Sequence, residues 1–207
     1  MNTYLTLLAS IIPAIGMGHF YFSYVYHVKK EGLLKTLLLA TLAIILNYCA
    51  YTLIKNIFPE YIFIVYYYIF VVFLFVIHHA YDTYRFNYKY QSILALIAGL
   101  TSVYLFFSNN HINQVATLTV WFLVIYHYMF WIYITIKKLS NEKLSRFLIE
   151  VAVVHVSFLL FYFLNRKLSI SYVTLLFSLG AFHHLTSVHV IFSALKEIPL
   201  LKRIKNN

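Results

Sequence analysis

Residues 33–54 read LLKTLLLATLAIILNYCAYTLI, a run of twenty-two with one charge, Lys35, close to its start. As a helix at 1.5 Å per residue it is about 33 Å long, the thickness of a bilayer's hydrocarbon core. The run is too long and continuous for the alternating strands of a membrane barrel. It predicts a transmembrane helix.

Outward from it the pattern repeats. Apolar segments at 3–27, 61–81, 92–108, 115–136, 147–165 and 169–195 join 33–54 to make seven. The breaks fall at 29–32, at 56–60 around Pro59, and at 82–91, 109–114, 137–146 and 165–167. Of the 207 residues, 62% are apolar and only 11% charged. That is too little charge to coat a water-facing surface, since soluble chains carry about a quarter. It excludes a soluble enzyme, a disordered chain, a coiled coil and a free nucleic-acid-binding domain. The expectation is an all-α integral membrane protein, one polytopic domain over 1–207 with short loops and the lipid bilayer as its partner.

The net charge of +10 fits basic loops beside spans and needs no nucleic acid. With seven spans, the N-terminus and loops 2–3, 4–5 and 6–7 hold Lys55, Arg166 and Lys167, three of the sixteen Lys and Arg. The other side holds thirteen: Lys29, Lys30, Lys35, Arg85, Lys89, Lys137, Lys138, Lys143, Arg146, Lys196, Lys202, Arg203 and Lys205. The positive-inside rule then puts the N-terminus outside and the C-terminus in the cytoplasm, in a cell inner membrane. No basic region precedes the first apolar run, which reads as a retained span. Cys49 is the only cysteine, so an intramolecular disulfide and a thiolate cluster are both excluded.

Ten histidines are many for so apolar a chain. Eight lie within the segments, away from their extreme ends: His19, His78, His79, His127, His155, His183, His184 and His189. Ionisable groups inside spans are rare and default to function. His19, His127 and His155 lie roughly 12–14 Å from their cytoplasmic helix ends, His184 about 16 Å, His189 about 9 Å and His78 about 6 Å. Helices running up and down thus place imidazoles in one layer of the cytoplasmic leaflet, with Asp82 and Glu150 at its edge. Neutral imidazoles beside one or two carboxylates are what Fe, Zn or Cu ligation requires. The metal candidates are His19, His78, His127, His155, His184 and His189. His27 sits at the boundary beside Lys29, and His111 in an outer loop.

Geometry limits that set. Neighbours in His78-His79 and His183-His184 point about 100° apart, so one of each pair faces inward. His184 and His189 differ by about 140° around an ideal helix and share a metal only through distortion. The alternative role for each imidazole is a hydrogen bond between helices. Asn47 reads as such a bond, Gly16 and Gly18 as close packing or ligand approach, and Tyr66-Tyr67-Tyr68 as an extension of the aromatic belt. Tyr126, Tyr128 and Trp131 beside His127 read as packing or as a wall for an apolar substrate.

Absences narrow the function. The seventh span has no lysine in its membrane core, which excludes a rhodopsin-type Schiff base. P-loop, GxSxG, HExxH and Gly-rich dinucleotide motifs are missing.

The segments Gly18-His19, Ile77-His78-His79-Ala80-Tyr81-Asp82, Tyr126-His127 and Phe182-His183-His184 resemble, in order, those of the Brp/Blh family of membrane β-carotene 15,15'-dioxygenases. The likeness covers about a fifth of the chain. Trp131 stands where that family has the second His of a His-x-x-x-His pair, and His-His-Ala replaces His-Phe-Gly. The resemblance implies iron held by His19, His78 and His127, with a fourth ligand from the sixth or seventh span.

The expected function is therefore a non-haem iron oxygenase acting on an apolar lipid or isoprenoid, a lipophilic small molecule that arrives from the bilayer. A b-type haem protein with two His on facing helices is one alternative. A transporter or assembly protein whose histidines only bridge helices is the other.

Overall fold

Glycine, proline and asparagine set the helix ends. The computed structural model describes the backbone of residues 3–108, 112–168 and 179–197. These form α1 (Thr3–Glu31), α2 (Leu33–Ile57), a 3-10 turn (Pro59–Tyr61) and a π-helical stretch (Phe63–Phe70) that runs into α3 (Val71–Arg85). They continue as α4 (Lys89–Ser108), α5 (Ile112–Lys138), α6 (Asn141–Leu168) and α7 (Leu179–Glu197). Among the described residues there are seven α-helices and no strand. His111 and the first ten residues of the segment 169–195 lie outside the described residues.

The helices overrun the apolar segments. α3 continues to Arg85, and α6 starts at Asn141, six residues before the apolar run at 147. Hydropathy stops where the apolar residues stop, but Lys, Arg and Glu are good helix formers and carry the helix on. The backbone breaks at special residues instead. Gly32 alone separates α1 from α2, at φ 87 and ψ 157, a conformation open essentially to glycine. Thr36 donates from both its backbone N–H (3.2 Å) and its hydroxyl (2.8 Å) to the Gly32 carbonyl. An ion pair from Glu31 to Lys35 (3.0 Å) spans the same corner. Asn87, at φ 66, closes α3. The Asn87 N–H bonds the Tyr84 carbonyl (3.0 Å) and the Tyr88 N–H bonds the Thr83 carbonyl (2.9 Å), a Schellman ending with asparagine in the left-handed position.

Two compact units emerge, the first from the described residues of 1–25 and 120–182, the second from those of 26–119 and 183–207. In the first, α1 packs on α6 through Ala14 and Tyr162, with Met17, Phe158 and Leu159 around them. The Phe182 ring covers Gly16 and stacks on Phe20 at 5.9 Å, so Gly16 serves close packing. In the second, α3 and α4 pack closely. Ser92 donates to the Ala80 carbonyl (2.8 Å), and Gly99 accepts Val76 against its backbone.

α2 is turned inside out relative to a helix in water. Its buried residues are Thr36, Leu39, Ala43 and Asn47, spaced three and four apart on one face. Leu34, Leu38, Ile44 and Leu53 are exposed. By length and composition two of the described helices can cross a membrane, α2 over Leu33–Ile57 and α6 over Asn141–Leu164.

Candidate functional site

In the first unit, α1 and α5 bring His19 and His127 together. Both are buried, and their rings meet edge to face with centroids 5.0 Å apart. Their nearest ligand nitrogens lie within 4.8 Å of each other. Aromatic rings enclose His19, with Trp131 at 5.4 Å and Tyr128 at 5.8 Å. Trp131 sits one turn after His127, so one helix supplies both an imidazole and the wall beside it.

His155, on α6, joins this unit beside Tyr128, whose ring centroid is 5.0 Å away. Its Nδ1–H donates to the Val151 carbonyl one turn back (2.6 Å). That fixes the tautomer and leaves the lone pair on Nε2. Nε2 is buried without a hydrogen-bond partner among the described residues and abuts Gly18, where any Cβ would enter the ring. Gly18 is a seat for this imidazole.

In the second unit, His78 and Asp82 lie one turn apart on α3, with Nε2 3.5 Å from Oδ2. The His189 ring of α7 stands perpendicular to His78 at 5.6 Å. His78 is thus approached by a carboxylate of its own helix and by an imidazole ring of α7. His79 is fully buried on a different face of α3. The hydroxyl of Thr83, one turn on, bonds the His79 and Ala80 carbonyls (3.0 and 2.9 Å). Glu150 lies apart from the histidines, paired with Arg146 at 3.0 Å on exposed α6 surface.

His184 belongs to another group in this unit. Its Nδ1 lies 2.8 Å from the Tyr66 hydroxyl and 3.3 Å from Asn47 Nδ2, while Tyr66 donates to Asn47 Oδ1 (2.6 Å). Asn47 is thus an interhelical hydrogen-bonder, as its place in the segment implies. Tyr66 is fully buried rather than spread along a membrane interface. Near the ends of α1 and α7, Lys196 Nζ is 2.7 Å from His27 Nε2 and lies over the Phe192 ring.

Buried histidine groups can therefore hold a metal ion. His19 meets His127, and His78 meets Asp82 and His189, whereas His155 and His184 each face partners of their own. Tyr66, Tyr128 and Lys196 are participants that the sequence reading had placed only as an aromatic belt, as packing or a wall beside His127, and as a loop charge. With 20 tyrosines and 19 phenylalanines in the chain, nothing marked these rings as histidine partners. No family model, curated protein or solved structure matches the chain at a significant level.

Proposed function

We propose that this is a seven-span inner-membrane protein whose histidines hold non-haem iron, and that it oxygenates an apolar lipid or isoprenoid, a carotenoid-like substrate. The observation that carries the reading is the gathering of buried imidazoles, His19 on His127 and His78 on Asp82 and His189. Imidazole nitrogens and a carboxylate are donors of the kind that suit Fe(II) oxygen chemistry. The inside-out face of α2 supports the membrane. Burying Thr36 and Asn47 while exposing leucine and isoleucine is favourable only where the surroundings are themselves apolar.

Bound iron supplies a position for O₂. The chain's own contribution is to supply nitrogen and carboxylate lone pairs, to hold them on rigid helices and to exclude water. Neutral imidazoles inside aromatic surroundings, such as His19 among Tyr128 and Trp131, keep their lone pairs for a metal. The substrate reaches them laterally from lipid, a route that fits a chain with so little charged surface.

Metal analysis and an absorption spectrum of detergent-purified protein, prepared without chelator, test this. Stoichiometric iron with almost no visible absorption is the expected outcome. An intense Soret band would replace the reading with a haem protein, and neither metal nor haem would leave histidines that only bridge helices. His19→Ala, His127→Ala, His78→Ala and His189→Ala should each lose metal, whereas His111→Ala keeps it. For the topology, reporters fused after Asn207 and inserted within 109–114 should report cytoplasm and exterior respectively.

A further inference from the structure

In the first unit, α5 and α6 set a phenol beside an imidazole that cannot accept its proton. His155 Nδ1 lies 2.6 Å from the Val151 carbonyl and 3.4 Å from the Tyr128 hydroxyl. A carbonyl oxygen carries no hydrogen, so the hydrogen of the short contact belongs to Nδ1. The phenol oxygen receives the edge of that N–H, and its own O–H finds no acceptor there. Tyr128 is only 8% exposed, and among the described residues its hydroxyl makes no other hydrogen bond. The far side of the imidazole offers no outlet, because Nε2 is buried against Gly18.

A buried O–H without an acceptor is costly, and more so where lipid takes the place of water. Trp131, one turn on and stacked on Tyr128 at 6.0 Å and 16°, adds an indole N–H that also lacks an acceptor among the described residues. The cluster therefore offers donors and no open acceptor. A ligand carbonyl, which accepts and never donates, completes it, whereas a ligand hydroxyl brings a proton with nowhere to go. A carboxylate also only accepts, but Tyr128 stands nine residues before Lys137 on α5, about 13 Å inside the span, where a charge is expensive. The ester carbonyls of glycerolipids stay at the rim of the hydrocarbon core, short of that depth. Around the phenol, Phe22, Trp131 and Phe147 pack with ring centroids 5.7 to 6.4 Å apart. Trp131, Phe147 and His155 are half-buried, so an apolar molecule can lie against this side of the cluster.

We propose that Tyr128 is a specificity-determining residue that donates its O–H to the carbonyl oxygen of a long apolar ketone, aldehyde or quinone. The inference rests on the apolar-substrate reading above and narrows that class from any lipid or isoprenoid to a carbonyl-bearing one. The edge of Tyr128 faces His19 at 5.8 Å, and His19 meets His127. A molecule held by its oxygen at Tyr128 thus has its adjoining carbons beside that pair of imidazoles. His155 is a positioning residue: with its Nδ1–H turned to Val151, it denies the phenol an internal acceptor and keeps the O–H available. A ring whose only task was packing would be served as well by phenylalanine. A site built to hydrogen-bond one group of its ligand rejects the analogue that leaves polar atoms unpaired.

The test uses the full chain in detergent with two probes, β-ionone, a short isoprenoid ketone, and β-ionol, the alcohol that differs from it at the one oxygen. Infrared difference spectra of carbonyl-¹³C β-ionone should show the C=O stretch moved to lower wavenumber on binding, and Tyr128→Phe should abolish the movement. Quenching of tryptophan fluorescence should give the parent a preference for ketone over alcohol of about 3–10-fold, and Tyr128→Phe none. Tyr133→Phe, at an exposed tyrosine of the same helix, should behave as the parent. The parent's own carbonyl movement and preference test the idea even if Tyr128→Phe fails to fold. Equal affinity for the two probes in the parent, binding of neither, an unmoved carbonyl, or a movement that survives Tyr128→Phe would overturn the inference. Iron is assayed separately on the same preparations. Protein that holds iron without a carbonyl preference loses the inference and keeps the metal reading. Protein with a Tyr128-dependent carbonyl movement and no iron keeps the inference and loses the metal reading.

Discussion

Replacing Gly18 by alanine tests the seat of His155 with one methyl group. In a helix interior the change ordinarily stabilises by about 0.5–1 kcal/mol. Here the new Cβ would stand 2.6 Å from Cε1 and 2.9 Å from Cδ2 of the His155 ring, and closer still to Nε2. The ring is hemmed in. Its Nδ1 is tied to the Val151 carbonyl at 2.6 Å, Phe22 stacks at 6.3 Å within 14° of parallel, and Tyr128 lies at 5.0 Å. Overpacking of this kind costs about 1–3 kcal/mol, and swinging the ring away forfeits a hydrogen bond worth about 0.5–1.5 kcal/mol. Set against the helix gain, Gly18→Ala should destabilise by about 1–3 kcal/mol. Reversible denaturant unfolding in detergent measures it. The companion is a double-mutant cycle with His155→Ala, in which the penalty should vanish and the helix gain return. A Gly18→Ala protein as stable as its parent, or a penalty undiminished without the imidazole, would refute the packing argument.

Other substitutions follow the same logic. Gly99→Ala drives a Cβ to 2.5 and 2.6 Å from the methyls of Val76, a β-branched residue with little rotamer freedom, and should cost about 1–3 kcal/mol with a lowered thermal midpoint. At Gly32, where φ is 87 and ψ 157, alanine should cost about 1–3 kcal/mol, read as faster amide exchange where α1 meets α2. Asn87→Gly should leave the melting point unchanged or raised, whereas Asn87→Val should lower stability by about 1–2 kcal/mol, because the position is left-handed.

Among the described residues, the break between α1 and α2 and the one after α2 were legible because Gly32 and Pro59 interrupt the apolar runs where the structure does. The ends were not. Charged first and last turns such as those at Glu142 and at Lys137-Lys138 belong to helices, and hydropathy cannot see them. The histidines were legible from their rarity in apolar sequence, and the offset of about 140° expected between His184 and His189 on an ideal helix limited how they could share a site. Their partners were hidden for a physical reason. Tyr66 comes from a stretch whose hydrogen bonding departs from the α pattern, and Lys196 meets His27 across 169 residues of chain. Neither relation has a periodic trace in sequence.

The π-helical stretch Phe63–Phe70 also acts as a vernier between two parts of one rod. A uniform α-helix locks every face to every other at 100° per residue, so aiming Tyr66 would dictate where His78 and Asp82 point. A segment with i→i+5 bonding uncouples the two phases. Tyr66 can be directed at Asn47 and His184 while α3 independently turns His78 toward His189. Insertions and deletions inside 63–70 would therefore re-aim the phenol and leave the α3 imidazole, carboxylate and Asn87 ending in their mutual register. A helical wheel drawn straight through 61–81 merges two faces that the molecule keeps apart.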